Sequence, residues 1–250
     1  MGKVGASFFV DVHSHVCPSG DDGAQSLADG VSLCESALRH GTRVLYATPH
    51  VWPHLPLGEE REALVRATFE DMRARAPAEL DLRLGWELTP DPSLLDEDPE
   101  RYRLEGTDYV LVEVPFTGPS DLLLAVGEHV EAAGLTPLVA HPERTESVLA
   151  RPALADELAE RGWPLQVNST SLLGRHGPEP EELGWRLLRE RVATVVASDG
   201  HRASRPAHLD RAYELALAQL GPRARAFFDG SGLGAVSRRR PASRAASTGA

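Results

Sequence analysis

Cysteine is nearly absent from this 250-residue chain. Cys17 and Cys34 are the only two, too few for a disulfide framework. Both read as reduced, packed residues, and Cys17 has no partner base that would make it a nucleophile. No apolar run approaches the roughly 18 residues of a transmembrane helix, and the N-terminus lacks a signal-peptide layout. The expectation is a cytoplasmic protein. Clustered basic charge is missing from the body of the chain, whose formal net charge is −11. Nucleic-acid binders displace counterions with grouped Lys and Arg, so nucleic acid is not an expected partner. The acidity does not bar a phosphate substrate, because bound divalent cations would offset part of it. A Cys-x5-Arg phosphate loop is also lacking, which removes a cysteinyl-phosphate intermediate from consideration.

What the chain does contain is a steady alternation of strand-like and helix-like segments. The stretch Phe9–His15, then Val44 to Ala47, Leu82 to Leu84, Tyr109 to Val114, Pro137 to Ala140, Leu165 to Val167 and Ala193 to Ala197 read as seven short strands. Between them lie amphipathic helices. Leu27, Val31, Cys34 and Leu38 share a face, with Ser26 and Asp29 in capping-box spacing and Gly41 as a stop. Leu123, Val126 and Val130 repeat the pattern before Gly134, as do Leu209, Tyr213, Ala216 and Leu220 before Gly221. Repeated βα units argue for a parallel sheet. An open sheet would gather its polar groups at one switch point, whereas a barrel draws them from many strand ends. Here a His, Asp, Glu or Asn follows nearly every strand, so a distorted, TIM-like (β/α)7 barrel is expected over residues 1–230. Thr89 to Thr107 reads as an excursion with one helical turn around Pro92 to Leu95. From Ser231 the Gly, Ser, Ala and Arg composition reads as a disordered tail, locally basic at Arg238, Arg239 and Arg240.

His13 and His15 alternate at the end of the first strand, so their imidazoles project side by side. With His50, His141, His201, Asp22, Glu87, Glu113 and Asp199 they make nine candidate metal ligands, all nitrogen or oxygen and none sulfur. One zinc site needs four, so nine imply two or three ions, with a carboxylate such as Glu87 bridging. Mixed imidazole and carboxylate ligation suits Mn, Fe or Zn. Glu113, inside Val112-Glu113-Val114-Pro115, would be an unpaired charge in an apolar strand if it held nothing. His40, His54, His129, His176 and His208 read as ordinary surface histidines and stay outside the ligand set.

These segments together resemble a known family. Val10-Asp11-Val12-His13-Ser14-His15, Asp21-Asp22-Gly23-Ala24, Ala47-Thr48-Pro49-His50, Val112-Glu113-Val114-Pro115, Ala140-His141-Pro142-Glu143-Arg144 and Ala197-Ser198-Asp199-Gly200-His201 look like the PHP (polymerase and histidinol phosphatase) superfamily. More narrowly they resemble its bacterial manganese-dependent tyrosine-protein phosphatases of capsule and exopolysaccharide loci. The narrower match rests on Asp-Asp-Gly-Ala, His-Pro-Glu-Arg, and Gln166-Val167-Asn168 leading into Ser171-Leu172-Leu173-Gly174, and the resemblance spans Val10 to Leu220.

The resemblance implies a barrel of the PHP type, with His13, His15, Glu87 and Asp199 on one metal and Glu87 bridging to a second held by Glu113 and His141. It implies a third on Asp22, His50 and His201, and Arg144 and Arg205 facing the phosphate. Two or three divalent ions are expected, Mn²⁺ first. The implied reaction is hydrolysis of phosphotyrosine by a metal-activated water, on the tail of an autophosphorylating kinase that controls polysaccharide synthesis. A histidinol-phosphatase-like phosphomonoesterase and a non-catalytic metal-binding regulator are the alternatives. Gly200, Arg202, Trp86 and His176 depart from the family pattern, and none of them removes a ligand.

Overall fold

Short aliphatic and β-branched runs give the chain its strands. The computed structural model describes residues 8–118 and 120–234. In chain order the strands are β1 (Phe9–Asp11), β2 (Thr42–Ala47), β3 (His50–Val51), β4 (Asp81–Leu84), β5 (Glu87–Leu88), β6 (Tyr109–Glu113), β7 (Thr136–Ala140), β8 (Leu165–Asn168) and β9 (Ala193–Ala197). All pair in parallel. Parallel neighbours need long crossovers. The crossovers carry helices α1 (Leu27–Arg39), α2 (Glu59–Arg75), α3 (Asp121–Ala132), α4 (Glu146–Ala150), α5 (Ala153–Glu160), α6 (Ser169–Leu172), α7 (Pro178–Arg189) and α8 (Asp210–Leu220).

The expectation of an α/β fold with parallel strands is met. Closure into the expected (β/α)7 barrel is not seen in the strand pairing: nine strands divide into β1-β2-β4 and β3-β5-β6-β7-β8-β9 among the described residues. Thr48-Pro49 separates β2 from β3, where proline brings no N–H to a ladder, and Gly85-Trp86 separates β4 from β5; β3 and β5 are short strands beyond those expected from sequence. Hydrogen bonds nonetheless cross the breaks, from Gly85 N to Ala47 O (2.9 Å) and from Glu87 N to Pro49 O (3.1 Å). At the other end, Asp199 N donates to His13 O (2.9 Å) and His15 N to Gly200 O (2.7 Å), joining the chain beyond β1 to that beyond β9.

Ser26 caps α1, accepting from Asp29 N and donating to the Asp29 carboxylate at 2.8 Å. The buried face of α1 is centred on Leu33, Cys34 and Ala37, while Leu27, Val31 and Leu38 lie at its partly buried flanks. Thr89 to Thr107 holds two 3-10 turns, Pro92–Asp96 and Pro99–Tyr102, each started by an aspartate cap ahead of a proline. The expected start of a tail at Ser231 does not hold for residues 231–234. Ser231–Leu233 forms a 3-10 turn, with Leu233 buried and its carbonyl accepting from Tyr109 Oη at 3.1 Å. The rest of that tail, from 235 on, lies outside the described residues. No helix among the described residues is long and apolar enough to cross a membrane.

Candidate metal centre

Strand parity delivers the first ligands. Asp11, His13 and His15 alternate along one row at the end of β1, and all three are fully buried. Gly23 lets the Asp21-Asp22 loop lie against that row: a Cβ there would stand 2.3 Å from His15 O and 2.6 Å from its Cβ. The loop's Asp21 accepts from Gly23 N and His50 N, both at 3.0 Å, and its Oδ2 is 3.4 Å from His15 Nδ1. His50 and Glu87 are direct register partners in β3 and β5. His141 (φ 32°) and Asp199 (φ 51°) are left-handed residues just past β7 and β9. Such backbone costs about 1–3 kcal/mol and is retained where surrounding structure enforces it.

All nine candidate ligands converge. Glu87 Oε2 lies 3.1 Å from His13 Nε2, 3.1 Å from His15 Nε2 and 3.0 Å from His50 Nδ1, and Glu87 Oε1 lies 2.9 Å from His141 Nε2. Asp199 Oδ1 is 3.5 Å from both His13 Nε2 and His15 Nε2. Glu113 Oε2 is 4.0 Å from His141 Nε2, and Thr89 Oγ1 donates to Glu113 Oε1. Asp22 Oδ1 approaches His201 Nε2 at 3.3 Å and His50 Nε2 at 3.6 Å. Four overlapping subsets emerge: His13, His15 and Glu87; Glu87, Glu113 and His141; His13, His141 and Asp199; and His15, Asp22, His50 and His201, so Asp199 sits with His13 and His141, and His15 also joins the Asp22 group.

The electrostatics of the cluster call for cations. Burial opposes charge on Glu87, yet the imidazoles of His13 and His50 carry it well below the ordinary carboxylate range. Burial likewise opposes charge on Asp199, which His13, His15 and Arg205 pull well below its usual value. Glu113 goes the other way, to about 8, raised by burial and then by the charge of Glu87. His50 is pushed down to about 3, chiefly by burial. Glu87 Oε2, Glu113 Oε2 and His50 Nδ1 are buried without a hydrogen bond of proper geometry. A buried cluster of imidazole nitrogens and carboxylate oxygens this close together fits divalent ions, and the nitrogen and oxygen donor set suits Mn, Fe or Zn.

Both predicted arginines reach Asp199. Arg144 Nη1 lies 2.9 Å from Oδ2 and Arg205 Nη2 2.6 Å from Oδ1, and Arg205 Nε also donates to the Asp199 carbonyl at 2.7 Å. Several neighbours that the sequence placed in motifs or at strand ends, without a role, take up positions around the cluster. Gln166 Oε1 lies 2.9 Å from His13 Nδ1, and Asn168 Nδ2 donates to Asp199 Oδ2 at 2.7 Å. They orient ligands by hydrogen bonds to their outer atoms, as such partners commonly do. Glu143, buried and raised to about 7 by that burial, accepts from Asn168 N and Ser171 Oγ. His176 faces the arginines electrostatically; burial and the charges of Arg144 and Arg205 hold it down to about 4. Polar residues inside the strand ends were the available signal for Gln166 and Asn168.

The departures from the family pattern also find physical places. Trp86 is buried in the core. Arg202 Nε donates to Asp22 O at 2.9 Å, bracing the ligand loop. A Cβ on Gly200 would stand 2.5 Å from Ala207 N, so this chain has no room for a side chain there.

Comparison with known proteins agrees with this geometry. The family model for capsular polysaccharide synthesis, CpsB/CapC, matches residues 9–225. Tyrosine-protein phosphatase YwqE of Bacillus subtilis (strain 168) is 30% identical over 200 residues, covering 77% of each chain. Tyrosine-protein phosphatase CpsB of Streptococcus agalactiae serotype III is 28% identical over 224 residues, 85% of this chain and 91% of that protein. Among solved structures, the crystallographic work on YwqE from Bacillus subtilis and CpsB from Streptococcus pneumoniae, described as unique metal-dependent tyrosine phosphatases, provides a match. It superposes with a TM-score of 0.81 at 26% identity, covering 92% of this chain and 95% of that one.

Proposed function

The chain belongs to the capsular polysaccharide synthesis CpsB/CapC family, and on that premise we propose that it is a metal-dependent protein-tyrosine phosphatase. The observation that carries this reading is Glu87, a single carboxylate within 3.1 Å of imidazole nitrogens from His13, His15, His50 and His141. His13, His15, Glu87 and Asp199 would hold one ion, Glu113 and His141 with Glu87 a second, and Asp22, His50 and His201 a third. Mn²⁺ is the expected ion. Bound divalent ions supply a water acidified towards neutral pH and withdraw charge from phosphoryl oxygens.

The chain's own residues do the rest. Arg144 and Arg205 rim the cluster and present charged planar forks to the phosphoryl oxygens. Asn168 and Gln166 keep Asp199 and His13 in place. Phe116, 41% exposed, stacks beside His141 and under Arg144, where it receives the phenyl ring of phosphotyrosine. Phenol ionises near pH 10, so its phenolate leaves with little acid assistance. The substrate is the tyrosine-rich tail of an autophosphorylating, cytoplasmic kinase domain governing polysaccharide synthesis, and the enzyme works in the same compartment. Hydrogen bonding from Asp199 to His13 and across the β2–β3 break supports reading the two sheets as halves of one distorted barrel.

The test compares turnover of a phosphotyrosine peptide and of histidinol phosphate with Mn²⁺ and with chelator. Peptide hydrolysis that requires the metal is the expected result. Preference for histidinol phosphate would make this a small-molecule phosphatase. Metal binding without any hydrolysis would make it a regulator.

A further inference from the structure

Ser36, His40, His208 and Asp210 meet where the end of α1 packs near the start of α8, and none belongs to the nine-residue centre. His40 is the C-cap residue of α1, and its Nδ1 lies 2.7 Å from Oδ2 of Asp210, the first residue of α8. The His40 and His208 rings stack, with centroids 3.6 Å apart and planes inclined by 18°. Ser36 Oγ, one turn before His40, lies 2.8 Å from His208 Nε2. One ligand atom from each of His40, His208 and Asp210 lies within 4.8 Å of the others. The His40 and Asp210 side chains are 40% and 34% exposed, so an ion from solvent reaches them without opening the fold.

We propose that His40, His208 and Asp210 form a separate site for one transition-metal ion of the zinc class, tying α1 to α8. Two imidazoles and one carboxylate supply three protein ligands, which leaves a fourth, tetrahedral position to water. That donor set favours zinc over magnesium or calcium, which prefer all-oxygen shells. A simple helix clamp would need only the His40–Asp210 bond. The geometry adds a second imidazole, its ring anchored by a hydroxyl, as ligating histidines commonly are.

The experiment uses the full chain dialysed against Zn²⁺, with bound zinc counted by mass spectrometry. His208→Gln and Asp210→Asn should each bind one Zn²⁺ fewer per chain than the parent, while Mn²⁺-supported phosphatase activity is unchanged. Independently, crystals of the parent soaked in Zn²⁺ should show an anomalous peak between the three side chains at the zinc absorption edge. Equal zinc stoichiometry in parent and variants would overturn the proposal. So would the absence of that peak, which stands even if a variant fails to fold. Neither outcome bears on the phosphatase reading, which concerns other residues.

Discussion

Phe116 stacks on His141, ring centroids 5.4 Å apart and planes inclined by 21°, so an exposed aromatic face adjoins a candidate metal ligand. The Arg144 guanidinium lies over the same ring, 5.0 Å from its centroid, so an exposed aromatic side chain and a cation stand together beside His141. Aromatic pairs contribute about 0.5–1.5 kcal/mol beyond area burial. Phe116→Ala should therefore raise KM for phosphotyrosine peptides roughly 2–10-fold. Turnover of an alkyl phosphate and metal content should not change. Parallel loss on both substrate classes would remove Phe116 from aryl recognition.

Arg144 and Arg205 share Asp199, and guanidinium is not a metal ligand because it stays protonated. Replacing either with Ala should lower kcat/KM on the order of 10²–10³-fold while metal content holds, and Lys should restore only part of the loss. Metal analysis alongside kinetics checks this. A fall of metal in step with activity would mean these side chains support the ligands instead.

Gly23 is where the ligand loop touches the ligand strand. An alanine methyl would collide with the His15 carbonyl, which also accepts from Ala24 N at 2.9 Å. Overpacking of this kind costs about 1–3 kcal/mol. Gly23→Ala should lower Tm and weaken binding of the ion proposed at Asp22, His50 and His201 more than it unfolds the chain. Isothermal titration with Mn²⁺ on the folded variant reads the effect.

Leu233 is packed into the described fold. Truncation after Gly234 should leave Tm unchanged, whereas truncation after Gly230 removes a buried leucine and the Tyr109 hydrogen bond. Full burial of such a side chain is worth about 1.5–3 kcal/mol, so the shorter protein should melt several degrees lower. Identical melting curves would return the boundary to Gly230.

Cys17 and Cys34 are fully buried, and burial pushes both thiols up to about 12 from an ordinary value of 9.0. The unfolded chain therefore releases these protons first, and bound protons favour the folded state between those two values. Their contribution to stability is complete below pH 9 and falls as pH rises towards 12. Native protein should resist thiol reagents at pH 8, and denatured protein should react at two sites per chain. Rapid labelling of the native state would contradict the burial.

The parallel α/β class, the capped first helix and the nine converging ligands were legible from residue order, because strand parity and helical periodicity are local properties. His13 and His15 had to project together once they lay on one strand. Glu113 announced itself as a charge with no local reason to be buried. Tertiary structure alone decided the rest. The division of the strands into two sheets depends on where Pro49 and Gly85-Trp86 interrupt a ladder whose partner lies dozens of residues away. The buried face of α1 turned towards Leu33 and Ala37 because packing partners, not hydrophobicity alone, choose the contact line. Leu233 looked like part of a tail until Tyr109, from a distant strand, gave its carbonyl a donor. His40 and His208 stand 168 positions apart and read separately as surface residues; only the approach of α1 to α8 brings their rings into contact. Short-range chemistry is written in the chain, while coincidence in space arises only when elements pack.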